Sequence, residues 1–348
     1  MITISHKVAN ESAGSSLVLT IRFLALSAAA ISLLFVLNNF LIFWQGWPGI
    51  FGLFAHLGWF GFAPLTTALN DTSVLLGWLQ LAFYLVSVGG LLVLVLMTPD
   101  RTLRADSEKL ASLAAYIVRA AFWSVLLIGI ADAAISFMRV EGLLIDLLGP
   151  SFTQDLGRAS FRGMHVHYPL IMVGFIIALF TRTLGFVWLA LLIVIAELLI
   201  VITRFVFSYE QAFMGDLVRF WYAALFLFAS AYTLMQDGHV RVDVLYSGFS
   251  ERLKAWSNTV GTLILGIPVC WTVLIRGMWG KSSLINAPIL SYEVTQNGYG
   301  LYVKYLMAGF LLIYALSMMI QFISYFLKNV AVLVREPEAQ PNHGQPTT

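Results

Sequence analysis

The chain reads as an all-α integral membrane protein of about eight transmembrane helices plus an interfacial or re-entrant segment, with both termini cytoplasmic. Three observations predict this. Of its 348 residues, 59% are hydrophobic and only 11% are charged, against roughly a quarter charged in an average soluble domain. Mean hydropathy is +0.85. The apolar residues fall in long runs, and crossing the hydrocarbon core takes about 20 mostly apolar residues in a helix.

The first run extends from Ile21 to Phe43 and the second from Val74 to Met97. Between them, Trp47 to Leu69 is apolar and uncharged but broken by Pro48, Gly52, Gly58, Gly61 and Pro64. Such interruptions suit a backbone shielded by protein, so this stretch is expected not to span. The third run, Leu113 to Met138, contains Asp132, and the fourth, Tyr168 to Phe180, is short. The fifth, Gly185 to Phe207, contains Glu197. The sixth runs from Leu217 to Met235, the seventh from Thr259 to Trp279 and the eighth from Val303 to Phe326.

Lys and Arg set the orientation. With the N-terminus inside, the second–third loop TPDRTLRADSEK is cytoplasmic, and the first–second loop, which has no Lys or Arg, is outside. Arg22 and Arg252 then count as inside charges, and Arg158 and Arg162 as outside loop charges. Trp44, Trp47, Trp59, Trp221, Trp256 and Trp279 lie near expected helix ends, as an interfacial aromatic belt requires. Met1 to Leu19 lacks the pattern of a signal peptide. The tail EPEAQPNHGQPTT is polar and Pro-rich and is expected to be disordered. The chain divides into an N-terminal membrane part, 1–183, a four-span part, 184–328, and the tail, 329–348.

Composition excludes several functions. No basic stripe suggests nucleic acid. The single cysteine, Cys270, rules out an internal disulfide framework and any multi-cysteine metal site. There is no GK[ST] phosphate loop, no HExxH and no Ser or Cys nucleophile beside a His base, so no catalytic residue is assigned and no cofactor or metal is expected. His165 and His167 flank the fourth run, and the other histidines do not lie on facing mid-membrane positions.

Two acids sit inside apolar runs, where a charge is costly and a function is the default reading. Asp132 and Glu197 are either inter-helix polar contacts or ion sites. Arg204, seven residues after Glu197, shares its helix face and is the expected partner. Between the fifth and sixth runs, RFVFSYEQAFMGDLVRFW is either an in-plane amphipathic helix or a short loop. Ser250, before Glu251, Arg252 and Lys254, reads as an N-cap opening the seventh helix. After the sixth run, Asp237, His239, Arg241 and Asp243 alternate with valines at the water boundary, which makes them a partner-docking or capping cluster together with Arg252.

From about residue 184 to 328 the chain resembles the small membrane subunit (DctQ-like small permease) of tripartite ATP-independent periplasmic (TRAP) transporters. The residues that carry this are LGFVWLALLIVIAELLIVITRFVF, RFWYAALFLFASAYTLMQDGHVRVDVLYSGFSERLKAW and GTLILGIP, in that order. The G-H-[IV]-R-V-D pattern falls on Gly238 to Asp243. The four extra N-terminal spans look like the longer variant of that subunit. The resemblance implies a scaffold, or stator, that pairs with a large elevator-type permease and helps dock a periplasmic substrate-binding protein. Uptake of a small organic acid would be sodium-driven, in the bacterial inner membrane among its lipids. Two other readings stay open: a haem or quinone anchor of a redox complex, and an independent secondary transporter.

Overall fold

The computed structural model describes residues 2–182, 186–209, 212–235, 246–294 and 300–337. Among these there is no strand, and eight helices are long and apolar enough to cross a membrane. All eight coincide with the runs expected from the sequence. Helix α1 (Ile2–Phe43) leads to a nine-residue helix α2 (Gly49–Leu57), then α3 (Asp71–Met97) and α4 (Leu103–Val140). Helix α5 (Leu143–Leu156) is followed by α6 (Ala159–Arg162), which passes through a wide π turn into α7 (Tyr168–Phe180). Then come α8 (Phe186–Val206), α9 (Ala212–Met235), α10 (Glu251–Gly261) joined by a second π turn to α11 (Ile267–Met278), α12 (Asn286–Ser291) and α13 (Lys304–Leu333).

The Trp47 to Leu69 stretch does not span. Nine helical residues rise only about 14 Å. Gly58 closes α2 in the left-handed region that glycine tolerates. Leu53 is fully buried against Gly77 of α3, so α2 is tied to its neighbour. The seventh span begins where Ser250 predicts: its side chain accepts from the Leu253 N–H. Among the described residues of 204–221 no separate in-plane helix occurs. α8 runs on to Val206, and α9 starts at Ala212 as part of the next span.

Helices α4 and α13 form the centre, antiparallel, with α7 and α9 packed on them. Close approach depends on small residues, as van der Waals packing between membrane helices requires. Gly129 of α4 lies under the Trp221 indole, and Gly174 of α7 lies against Ser124 of α4. Trp221 is therefore a core residue and not part of the interfacial belt, whereas Trp44, Trp59, Trp256 and Trp279 are exposed. The core cluster mixes residues from both parts of the chain, Val118, Phe122, Val125 and Ile128 with Phe220, Phe228, Phe310 and Met319.

At one end of the bundle Arg22 is fully buried. Its Nε donates to Asp106 Oδ2 at 2.8 Å and its Nη1 to the Thr98 carbonyl at 2.6 Å. Arg101 holds the other Asp106 oxygen at 2.7 Å. Arg22 is thus a helix-pairing residue and not a free topogenic charge. Glu336, assigned to the tail by sequence, is ordered and caps α4: its carboxylate accepts from the Leu103 N–H at 2.8 Å and the Arg104 N–H at 3.2 Å. Ser107 and Ser324 donate to each other's carbonyls at 2.8 and 2.7 Å, locking α4 to α13. The start of α1 and the end of α13 lie at this same end, as an even number of spans requires.

Candidate functional site

At the opposite end, Asp132 lies two turns from the end of α4 and is fully buried. It is paired, but not with the helix bearing Glu197. Arg162 Nη1 donates to its Oδ1 at 2.8 Å, and His167 Nε2 lies 3.1 Å from the same oxygen. The backbone N–H of Tyr302 donates to Oδ2 at 2.8 Å. Tyr302 lies just before Val303, the N-cap of α13, so the carboxylate sits where the unpaired N–H groups and positive dipole end of that helix favour an anion. The neighbouring Leu301 N–H donates to Asp216 of α9 at 3.2 Å. Two acids from two helices therefore fix the start of α13.

Arg162 and His167 are also fully buried. They are five residues apart, and in a regular α-helix residues at that spacing point about 140° apart. The π turn Gly163–His167 changes this: Tyr168 N–H bonds to the Gly163 carbonyl, and the widened turn brings both side chains onto one carboxylate. Its cause is local. Pro169 has no N–H and its ring crowds the preceding turn, and a π bulge relieves this. The same solution recurs before Pro268, where Ile267 N–H bonds to the Thr262 carbonyl.

The remaining polar atoms are nearly all satisfied. Arg162 Nε donates to the Leu156 carbonyl at 2.9 Å, its Nη1 also reaches Ser136 Oγ at 3.3 Å, and its guanidinium lies 4.1 Å over the Tyr302 ring. Arg162 Nη2 is buried without a hydrogen bond, so the ring face is its main compensation. His167 Nδ1 lies 2.8 Å from the Tyr305 hydroxyl. A neutral imidazole satisfies both contacts: Nε2–H donates to Asp132 and Nδ1 accepts from Tyr305. Arg139 Nη1 reaches the Tyr302 hydroxyl. Gly163 is required here, because a Cβ would strike the Tyr292 ring.

Chemically, this is a carboxylate surrounded by N–H donors, whereas alkali and alkaline-earth cations take oxygen ligands. Among the described residues no group of three or more metal-ligating side chains occurs. Arg162, read from sequence as an outside loop charge, and His167, read as flanking the membrane, are instead the buried partners of Asp132. His165 is exposed and stacks on Phe161.

The other expected site residues are distributed differently. Glu197 is exposed in the middle of α8, and no ion pair joins it to Arg204 among the described residues. Seven residues separate the two by about 10 Å along the axis, beyond direct contact. Arg204 is exposed and bonded elsewhere. Arg252 is exposed on the first turn of α10. The cluster Asp237, His239, Arg241 and Asp243 lies outside the described residues.

Comparison with known families adds one finding. Residues 190–331, from within α8 to near the end of α13, match the family model described as tripartite ATP-independent periplasmic transporters, DctQ component. No curated protein and no solved structure is matched.

Proposed function

We propose, starting from the match of residues 190–331 to the DctQ component of TRAP transporters, that the chain is the small permease subunit of such a transporter. In this reading it is a multi-pass scaffold in the bacterial inner membrane, not an enzyme. It pairs with a large elevator-type permease and receives a periplasmic substrate-binding protein. Uptake of a small organic acid is driven by a sodium gradient. Asp237, His239, Arg241, Asp243 and Arg252 serve docking or capping at the cytoplasmic boundary.

The family match carries this reading, and the internal bracing supports it. A stator has to stay rigid while its partner moves. Here buried ion pairs tie α4 to α1 at one end and to α6–α7 at the other, while Asp132 also holds the start of α13. Such pairs are costly to break singly. The donors around Asp132 favour helix packing over ion handling for that carboxylate, which leaves sodium and substrate to the partner.

The test is to express the tagged full chain with its neighbouring genes, extract it in mild detergent and identify what co-purifies. A stoichiometric complex with a large multi-span membrane protein is expected. A monodisperse chain alone, or one with a Soret band from bound haem, overturns the proposal.

A further inference from the structure

Glu197 is the eleventh residue of the span Val187–Val206, with ten apolar or small residues before it. About 15 Å of helix on that side is half of a hydrocarbon core roughly 30 Å thick, so the carboxylate sits at the centre of the bilayer. It points away from the bundle. α8 buries Leu189 and Ala196 against α9, while Val194, Leu198 and Val201, around Glu197, are 61%, 54% and 48% exposed. Among the described residues no side chain or backbone group bonds the Glu197 carboxylate. The other mid-helix acid, Asp132, is buried and saturated, so the two acids have opposite environments in one chain.

Lipid cannot complete this surface. A charged side chain at the bilayer centre is expensive, and a glutamate stem of a few ångströms is too short to reach headgroups about 15 Å away. We infer that the Glu197 face of α8 is an intramembrane docking surface for a transmembrane helix of a second membrane protein that presents an Arg, a Lys or a neutral hydrogen-bond donor at mid-depth. A second copy of this chain is the wrong occupant on charge grounds. Two copies related by an axis along the membrane normal run their α8 helices parallel, which sets Glu197 against Glu197. Arg204, the nearest cation on that helix, lies about 10 Å nearer one membrane face. Identifying the occupant with the large permease rests on the function proposed above; the location of the surface and the chemistry of its partner rest on Glu197.

The experiment uses the full chain co-expressed with its neighbouring membrane proteins, with a photo-crosslinking amino acid at Val194 or Val201. Val86, on the exposed face of α3, is the control position. Crosslinks to one membrane protein are expected from positions 194 and 201, and weak ones from 86. Glu197→Leu should leave the chain's own yield and elution unchanged and lower the co-purified partner about tenfold, with Glu197→Gln retaining part of the binding through its amide oxygen. If the partner co-purifies at the parent level with Glu197→Leu and positions 194 and 201 do not crosslink, the surface is elsewhere, and the subunit reading survives. If those positions crosslink to a second copy of the chain, the choice of occupant is wrong. If no membrane protein co-purifies at all, the subunit reading fails and takes the docking surface with it. Should Glu197→Leu fail to accumulate, the crosslinks from the Glu197 chain decide the matter.

Discussion

Breaking the Asp132–Arg162 pair tests whether this network holds the bundle together. Asp132→Ala leaves the Arg162 guanidinium buried with only Ser136, the Leu156 carbonyl and the Tyr302 ring around it. Arg162→Met leaves the carboxylate with His167 and one backbone N–H. Removing one member of a buried pair costs about 3–5 kcal/mol. The double variant Asp132→Leu/Arg162→Met removes both charges, and replacing a whole buried pair by apolar groups is often close to neutral. Here the Tyr302 N–H and the His167 Nε2–H both lose their acceptor, which costs about 1–3 kcal/mol each. The double variant leaves no unpaired charge and is therefore expected to lose less than the two single losses added. Cys270 supplies the assay: it is the sole cysteine of the chain and is 1% exposed. A thiol-reactive fluorophore thus reports unfolding of the detergent-solubilised full chain on heating. At about 2 °C per kcal/mol for a chain of this size, each single variant should melt roughly 6–10 °C lower and the double variant roughly 4–12 °C lower, against roughly 12–20 °C for the two losses added. Single variants melting within about 1 °C of the parent, or a double variant showing the sum of the two losses, would refute the pairing argument.

Three further outcomes follow from the packing. Gly129→Ala drives a methyl into the Trp221 indole and should cost about 1–3 kcal/mol by overpacking, whereas Gly261→Ala meets nothing and should be neutral or stabilising by up to about 1 kcal/mol; the same thermal assay compares them. The Tyr209 hydroxyl donates to Glu141, joining the ends of α8 and α4, and this bond holds the Tyr209 pKa above the ordinary phenol value. A raised folded-state pKa means the contact is intact below the ordinary tyrosine range and is lost as pH rises through the raised value, so the absorbance difference between parent and Tyr209→Phe should titrate later than free tyrosine, and Glu141→Gln should bring it back. Deleting residues 1–183 removes α4 from against α9 and α13 and should give an aggregated product on size-exclusion chromatography, while a monodisperse fragment would show that the remaining spans fold alone.

All eight spans were legible because bilayer thickness imposes a length that few charges interrupt, and Ser250 was legible because capping is local. The Asp132 partners were not read, although a signal was present. The fourth apolar run, Tyr168 to Phe180, is 13 residues long, or about 20 Å of helix, too short for a core roughly 30 Å thick. Its helix had to begin earlier, which draws Arg162 and His167 into the membrane beside the one acid that needed a partner. The π turn is harder to foresee: Pro169 marks where a helix is disturbed but not how. Arg22 and Trp221 misled for a common reason. Charge counting and aromatic belts describe average positions, and both fail where a residue is bonded or packed inside the bundle. Glu336 was assigned to the tail by composition, because nothing local shows that α4 leaves two N–H groups open nearby.

The family match begins within α8, yet the helices it covers close on one that lies outside it. Phe220 and Phe228 of α9 and Phe310 of α13 pack in the same cluster as Phe122, Val125 and Ile128 of α4. α4 also supplies Asp132 and Ser107, which fasten α13 at its start and near its end. The four preceding spans therefore contribute unequally. α3 is 11% buried over its most apolar window, and half of the corresponding window of α4 is buried. A long N-terminal part whose only task was to widen the membrane footprint would pack as an outer layer throughout. α3 fits that description and α4 does not, and α1 is drawn inward by Ala25 and Ala29 in the core cluster and by the buried Arg22–Asp106 pair, so the N-terminal part is not one outer layer: α3 is a peripheral flank and α4 a core element on which the matched segment depends.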